Sequence, residues 1–197
     1  MVKTLLWGSV FCATLLAASP NATAVIVIVR IEPPSQVVTL NEVFTVDIVA
    51  DIPDTDPVIG WGLDFTVATP GLLTQIGPPV LASPPWIGIL NLDSDGDGLL
   101  GLANPAPPIN GEVSGVGVVL ATLTFSADAI GHTDLLLSVT PGDLTEGFPL
   151  SPPPVGAFAD IVFEPGSVSV IPEPTTLATF AIGGLILFRR RCRLPTL

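Results

Sequence analysis

The segment Phe44-Thr45-Val46-Asp47-Ile48-Val49-Ala50 places an apolar side chain at every second position, starting from Phe44. A repeat of two residues puts these side chains on one face of a β-strand. The same period occurs elsewhere between residues 25 and 170, in the stretches 61–67, 119–127, 135–139, 159–163 and 168–170. Because clusters of Pro, Gly and Asp separate these stretches, the pattern predicts half-buried strands of an all-β sandwich.

The composition agrees with strands and argues against a helical or disordered chain. Of the 197 residues, 48% are hydrophobic and only 12% are charged, and the chain contains 22 Pro and 19 Gly. Pro and Gly are poor helix formers, whereas the apolar content is ample for a folded core. We therefore expect one domain, residues 25–170, of about 150 residues.

Positive charge is scarce and is concentrated at the C-terminal end. The six cations are Lys3, Arg30 and an arginine cluster formed by Arg189, Arg190, Arg191 and Arg193. The formal net charge is −12, and Arg30 is the only Lys or Arg between residues 25 and 171. Such an acidic surface repels the phosphate backbone, so the sequence predicts no nucleic-acid partner.

Residues 1–24 have the organisation of a secretory signal peptide. Lys3 supplies the positive start, residues 5–18 form an apolar, helix-forming core, and Ala22-Thr23-Ala24 provides a cleavage site with small residues. We expect cleavage before Val25 and export of the remainder. Alternatively, residues 25–29, which are all apolar, extend this segment into an uncleaved membrane anchor.

Residues 171–197 combine three features in a fixed order. The tripeptide Pro172-Glu173-Pro174 is followed by an uncharged run, residues 175–188, and then by the arginine cluster. An apolar helix with arginines at its cytoplasmic end is typical of a transmembrane segment. This one would be about 21 Å long against a hydrocarbon core of about 30 Å, so we expect a short, marginal anchor. The alternative is a C-terminal strand or core helix of a soluble domain.

This C-terminal arrangement resembles the PEP-CTERM sorting signal of Gram-negative bacteria. In that family the membrane-embedded cysteine protease exosortase recognises the tripeptide and processes the exported protein. The resemblance implies that sorting depends on the tripeptide and the arginine cluster, namely Pro172, Glu173, Pro174, Arg189, Arg190, Arg191 and Arg193. It also implies an inner-membrane intermediate, followed by delivery to the cell envelope, the cell surface or the extracellular matrix.

Two pairs of segments resemble the strands of cohesin domains. The first pair is residues 37–48 and 60–65, and the second is residues 120–127 and 130–139. The resemblance implies an antiparallel jelly-roll sandwich of about nine strands, which is related to carbohydrate-binding modules. It also implies an extracellular polysaccharide or a dockerin-like protein as the partner.

The region between the two ends lacks the residues of most catalytic centres. Both cysteines, Cys12 and Cys192, fall in the terminal segments, which excludes disulfides and thiol catalysis between residues 25 and 170. His132 is the only histidine, and we expect it in an exposed Gly-His-Thr turn. One histidine cannot build a multi-histidine metal site, and no acid pair stands in a distinctive glycosidase motif. The sequence predicts that the protein is not an enzyme, with an acid-pair glycosidase as the alternative.

One segment has the spacing of a calcium-binding loop. Asp93, Asp95 and Asp97 occupy loop positions 1, 3 and 5, and a glycine follows at position 6. Leu99 would add its backbone carbonyl at position 7, whereas Asn104 stands at position 12, where a bidentate acid is usual. We expect weak Ca²⁺ binding here, and the alternative is a polar turn without a metal.

Two tryptophans receive different interpretations. Trp86 follows two prolines and precedes Ile87 and Gly88, so it is a candidate sugar-stacking platform or, alternatively, an anchor that fixes its loop to the domain. Trp61 alternates with Leu63, which indicates a core position.

Together these features favour an exported, non-catalytic protein with a structural or adhesive role in an exopolysaccharide or biofilm setting. The second hypothesis is a carbohydrate- or dockerin-binding module in which calcium stabilises the Asp93 loop.

Overall fold

The structure, a computed structural model, describes residues 25–88, 98–103, 111–151 and 157–173. All regular elements in these ranges are β-strands, which confirms the all-β prediction. No helix that is long and apolar enough to cross a membrane occurs in the same ranges. The predicted signal helix in residues 1–24 and the predicted transmembrane helix 175–188 lie outside them.

The described residues form twelve strands in two sheets. The strands are β1 (Ile26–Glu32), β2 (Ser35–Thr39), β3 (Val43–Ile52), β4 (Gly60–Val67), β5 (Leu73–Gln75), β6 (Val80–Leu81), β7 (Trp86–Ile87), β8 (Gly98–Ala103), β9 (Gly115–Ala127), β10 (Gly131–Ser138), β11 (Asp160–Glu164) and β12 (Gly166–Ile171). The first sheet has the order β11-β1-β3-β9-β5, with β6 also paired to β9, and the second has the order β2-β12-β10-β4-β8-β7. The expected number of about nine strands was too low, partly because β6 and β7 contain only two residues each.

The long strands β3 and β9 form the centre of the first sheet. Phe44 of β3 pairs with Phe125 of β9, and their rings lie 5.9 Å apart. The alternation holds up to Ile48, where the register shifts, and the next two residues of β3, Val49 and Ala50, are both buried. At a β-bulge one strand has an extra residue, so two consecutive side chains can point to the same face of the sheet. This explains why the alternation of apolar and polar residues stops there.

Two strand pairs are parallel, which corrects the expectation of an entirely antiparallel sandwich. In the first sheet β1 pairs with β11 in parallel, and in the second sheet β2 pairs with β12 in parallel. At Pro33-Pro34 and again at Pro165, the chain passes from the first sheet into the second. The two crossings lie together, since Ser167 N donates to Pro34 O at 3.0 Å. The start and the end of the sandwich therefore cross between the sheets side by side.

Residues 25–29 belong to the sandwich. Val27 and Val29 of β1 are fully buried and are part of the core between the sheets. Residues 26–29 are therefore strand residues of the folded domain, whereas cleavage before Val25 stays a prediction.

Strand β4 departs from the predicted alternation on the side that faces away from the core. Trp61 and Leu63 are core residues, as predicted, but Gly62 and Asp64 between them are buried as well. A strand covered on both faces loses its alternation. The segment that covers the second face forms part of the candidate site.

Candidate functional site

The second sheet has an outer face, on the side opposite the core, which carries a row of apolar side chains. Leu102 pairs with Ile87 on one side and with Gly60 on the other, and Leu100 pairs with Gly62. Leu102 is 50% exposed and Ile87 is 39% exposed. We call Ile87, Leu100 and Leu102 the apolar strip. Together with Gly88 they line an apolar cavity of about 160 Å³.

Beside the apolar strip, the chain folds back over β4 after strand β10 ends. We call residues 139–147 the covering loop. Gly62 N donates to Gly147 O at 3.0 Å and Gly147 N donates to Gly62 O at 2.8 Å, so the end of the loop continues the sheet where β10 stops. A Cβ atom on Gly62 would lie 2.1 Å from the carbonyl oxygen of Thr145. Only glycine fits under the covering loop at this position, because a backbone atom cannot move aside as a side-chain end can.

The covering loop buries two carboxyl groups against β4. Asp64 is 6% exposed and Glu146 is 5% exposed. Oδ2 of Asp64 accepts long hydrogen bonds from the hydroxyls of Ser138, at 3.4 Å, and Thr140, at 3.3 Å. Oε2 of Glu146 accepts from the backbone amide of Thr140. We call Asp64 and Glu146 the acid pair.

The surroundings of the acid pair disfavour a second negative charge. Burial raises the pKa of Glu146 above its usual range, and the neighbouring Asp64 and Asp143 add to the rise, although the amide of Thr140 opposes it. Loss of hydration and a like charge both destabilise the carboxylate form. The hydrogen bond between the side chains of Glu146 and Asp64 also raises the pKa of Glu146, because only a protonated carboxyl group can donate to the other one.

Asp143 organises the covering loop itself. Its Oδ1 accepts from the hydroxyl of Thr145 at 2.7 Å and from the backbone amide of Thr145 at 2.8 Å. These two hydrogen bonds lower the pKa of Asp143. An aspartate that bonds to the backbone two residues further on is a common way to close a turn.

Trp86 is not a sugar-stacking platform, which corrects one of the two interpretations of this residue. Its side chain is 0% exposed, and its ring packs edge to face on Trp61 with the centroids 6.3 Å apart. The indole Nε1 donates to Val119 O at 3.0 Å. Both faces of the ring are thus inside the core, and the residue fixes its segment to the sandwich, as the alternative interpretation proposed.

The predicted calcium loop is only partly within the described residues. Leu99 lies in β8, pairs with Leu63 and has a buried side chain. Asp93, Asp95, Asp97 and Asn104 lie outside the described residues. Calcium binding by this loop stays a prediction.

The sorting tripeptide starts directly after the last strand. Strand β12 ends at Ile171, Pro172 is partly buried, and Glu173 is exposed. Pro174 and the arginine cluster (Arg189, Arg190, Arg191 and Arg193) lie outside the described residues.

His132 lies in strand β10 and not in the expected turn. Its side chain is 60% exposed, in agreement with the expected exposure. Nδ1 lies 3.1 Å from Ser169 Oγ on the neighbouring strand, and Nε2 lies 3.4 Å from Asp134 Oδ1. Gly131 is the first residue of this strand, and a Cβ there would lie 2.7 Å from a methyl carbon of Leu72.

A second groove does not assemble a catalytic group. It has a volume of about 620 Å³, and Glu112 is the only ionisable residue among the described residues that line it. The carboxylate of Glu112 accepts from Ser151 Oγ at 2.6 Å. An acid-pair glycosidase needs two carboxyl groups about 5–10 Å apart across an open cleft, so this groove does not support that alternative.

The acid pair and the covering loop escaped the sequence analysis. Asp64 occupies an ordinary polar position of an alternating strand, and Glu146 stands in a segment without periodicity. The one local signal is Gly62, because a glycine inside a strand often marks the close approach of another backbone.

Comparison with known proteins gives similarity at the level of the fold. No protein-family model matches the sequence, and no curated protein matches it significantly. The third ScaB cohesin of R. flavefaciens, in complex with a group 1 dockerin, is 14% identical, with 78% of this chain and 100% of that chain covered and a TM-score of 0.55. A cohesin module from a family 33 glycoside hydrolase of Clostridium perfringens is 11% identical, with coverages of 77% and 100% and a TM-score of 0.53. A type I cohesin–dockerin complex from Clostridium thermocellum contains a chain that is 9% identical, with coverages of 79% and 100% and a TM-score of 0.51. These similarities show that the chain has a cohesin-like β-sandwich fold.

Proposed function

We propose that the protein is an exported, non-catalytic recognition module that binds a dockerin-like protein partner through the apolar strip. The observation that carries this proposal is the cohesin-like fold, since two of the similar structures are cohesins in complex with dockerins. The apolar strip supports it, because half-exposed Leu102 and Ile87 stand beside a small apolar cavity on an open sheet face. An apolar side chain of a partner would fill this cavity.

The energetics of the apolar strip favour a protein partner over a sugar. Fully burying a leucine side chain is worth roughly 1.5–3 kcal/mol, and interface energy is concentrated in a few central apolar contacts. Sugar sites commonly present an aromatic face, and the one aromatic residue that the sequence suggested for this role, Trp86, is buried. With a net charge of −12, the chain would also attract a basic partner at low salt.

A pair of matched substitutions tests the role of the apolar strip. Leu102→Glu places a charge in the strip, whereas Val162→Glu places the same charge on β11, at the edge of the first sheet, where Val162 is similarly exposed at 47%. Using immobilised full-length chain and a panel of dockerin domains in surface plasmon resonance, we expect Leu102→Glu to weaken binding at least tenfold. Val162→Glu should leave the affinity within about twofold.

Three outcomes would contradict this proposal. They are no binding by any dockerin domain, equal loss in the two variants, or selective retention on a polysaccharide column that Leu102→Glu does not change. The last outcome would favour the carbohydrate-binding alternative. Circular dichroism of both variants checks that the fold is retained.

We further propose that the C-terminal segment acts as a PEP-CTERM sorting signal, which delivers the module to the cell envelope or matrix through exosortase. Glu173 supports this proposal, because it is exposed just after the last strand and is thus accessible to a processing enzyme. Once delivered, the module would serve a structural or adhesive role in an exopolysaccharide matrix.

The processing of a Glu173→Gln variant tests the sorting proposal. In a host that contains exosortase, we expect this variant to accumulate as a full-length membrane-bound precursor, detected by immunoblotting of membrane and released fractions. Glu164→Gln, at the exposed end of β11, is the matched control and should be processed normally. Normal release of the Glu173→Gln variant would contradict the sorting role.

A further inference from the structure

The acid pair connects the covering loop to strand β4. The side chains of Asp64 and Glu146 are both buried, and they hydrogen-bond each other. Two ionised carboxylates offer only acceptors, so a hydrogen bond between two carboxyl groups needs one proton. Without that proton the two like charges repel each other at close range. The contact between the two side chains therefore depends on one of them being protonated.

The other polar contacts of the acid pair are with neutral groups. Oε2 of Glu146 accepts from the backbone amide of Thr140, and Oδ2 of Asp64 accepts from the hydroxyls of Ser138 and Thr140. These donors can hold one negative charge in the buried pair. They supply no positive charge that would compensate for a second one.

The charged groups around Glu146 are acidic. Asp64 acts on it from β4, and Asp143 acts on it from within the covering loop. Arg30 is the only Lys or Arg in the described part of the chain, and its side chain binds two other acids on the first sheet. Both neighbouring acids therefore favour the neutral form of Glu146.

The covering loop is held on β4 at two points that respond differently to pH. Gly147 forms two backbone hydrogen bonds with Gly62, and these involve no titratable group. Glu146 has the only buried side chain of the covering loop, whereas Leu144 is 82% exposed. A segment with so few buried side chains can open locally while the rest of the domain stays folded.

We propose that Glu146 carries a proton that it donates to the carboxylate of Asp64, and that loss of this proton to solvent at higher pH loosens the covering loop from β4. Opening would relieve the repulsion, because each carboxylate then becomes hydrated. The raised pKa of Glu146 gives the direction. Its stabilising effect is present below the unfolded value of about 4.3 and is lost as the pH rises through the higher folded-state pKa.

Hydrogen–deuterium exchange of the purified full-length chain at pH 5 and pH 8 tests the proposal. A chelator in the buffer removes any contribution from the predicted calcium loop. After correction for intrinsic exchange rates, protection of residues 139–147 should fall at least about threefold between pH 5 and pH 8, relative to that of strand β9. The strand serves as the internal reference, because its core positions exchange only when larger parts of the domain open.

Three single substitutions assign the response to the acid pair. In Glu146→Gln the side-chain amide donates to Asp64 at every pH, so protection of the covering loop should no longer depend on pH. In Asp64→Asn the new amide donates to Glu146 instead, and the pH dependence should again disappear. Glu164→Gln makes the same change at an exposed acid of β11, and it should behave as the wild type does.

Infrared spectroscopy detects the proton itself. At pH 6 the wild type should show the carbonyl band of a protonated carboxyl group, because exposed acids are already ionised at this pH. Glu146→Gln should lack this band, whereas Glu164→Gln should retain it.

Three results would overturn the proposal. The first is an equal change with pH in the protection of the covering loop and of β9 in the wild type. The second is a selective loosening of the loop at pH 8 that persists in Glu146→Gln, and the third is the absence of the protonated-carboxyl band from the wild type. None of these measurements involves a dockerin domain, so a failure here can be told apart from a failure of the proposed function.

Discussion

At the scale of single residues, Trp61 and Trp86 pack edge to face in the core, but their indole N–H groups have different surroundings. Nε1 of Trp86 donates to Val119 O at 3.0 Å, whereas Nε1 of Trp61 is buried without an acceptor among the described residues. Both rings are almost completely buried, at 0% and 1% exposure. The two residues thus offer similar apolar burial, and they differ in one hydrogen bond.

We expect Trp86→Phe to destabilise the fold by about 1 kcal/mol more than Trp61→Phe. Both substitutions remove a similar volume, but only Trp86→Phe leaves a buried carbonyl, that of Val119, without its donor. The measurement is denaturant unfolding followed by far-UV circular dichroism, which does not depend on the tryptophan signal. Equal loss of unfolding free energy in the two variants would contradict this explanation.

At the scale of elements, Arg30 and Asp51 together link three strands of the first sheet. In β1, its Nη1 lies 2.6 Å from Asp51 Oδ2 of β3, and its Nε lies 2.7 Å from Glu32 Oε1. The backbone amide of Gly117 in β9 donates to the other oxygen of Asp51 at 2.7 Å. Partial burial alone would raise the pKa of Asp51, but the hydrogen bonds from Arg30 and Gly117 outweigh it and lower the pKa.

We expect Arg30→Met to lower the unfolding free energy by about 1 kcal/mol at pH 7, since the pair is partly solvated. Because the folded-state pKa of Asp51 lies below its unfolded value of about 3.9, the stabilisation is present above that value. It is lost as the pH falls through the lower folded-state pKa. Urea unfolding of wild type and variant between pH 7 and pH 3 should therefore show curves that converge at the acidic end.

A second variant separates this ion pair from a general charge effect. Glu32 is more exposed than Asp51, at 47% against 28% for the side chains, and Glu32→Gln leaves the Arg30–Asp51 contact in place. Its effect at pH 7 should be smaller than that of Arg30→Met. A difference between wild type and Arg30→Met that stays constant down to pH 3 would contradict the assignment to Asp51.

At the scale of the whole molecule, the charge is strongly one-sided. The chain has 18 acidic residues against six Lys and Arg, and its calculated isoelectric point is about 4.1. Repulsion between molecules of such high net charge opposes their association at neutral pH. Near the isoelectric point the net charge approaches zero, and association becomes favourable.

We expect the solubility of the full-length chain to pass through a minimum near pH 4. Light scattering across pH 3–7 measures this minimum, and far-UV circular dichroism at each pH shows whether the strands are retained. Scattering that appears only where the strand signal is lost would instead indicate acid unfolding as the cause.

The strands themselves could be predicted from the sequence, because burial of one face of a strand requires an apolar residue at every second position. This pattern is present in β3, at Phe44, Val46 and Ile48, and in β4, at Trp61 and Leu63. The resemblance to cohesin segments extended this local information to the correct type of sandwich. Resemblance and pattern both failed at β7, where Trp86 looked like a loop residue, since a strand of two residues is too short to show a period.

The sequence by itself determined the all-β class, the core positions of the long strands and the acidic charge, because each depends on composition or on neighbours along the chain. Only the tertiary structure decided the parallel pairing of β1 with β11 and of β2 with β12. It also decided the burial of Asp64 and Glu146. These features involve residues that are far apart in the chain. They are stabilised by tertiary contacts, which a pattern of neighbouring residues does not predict.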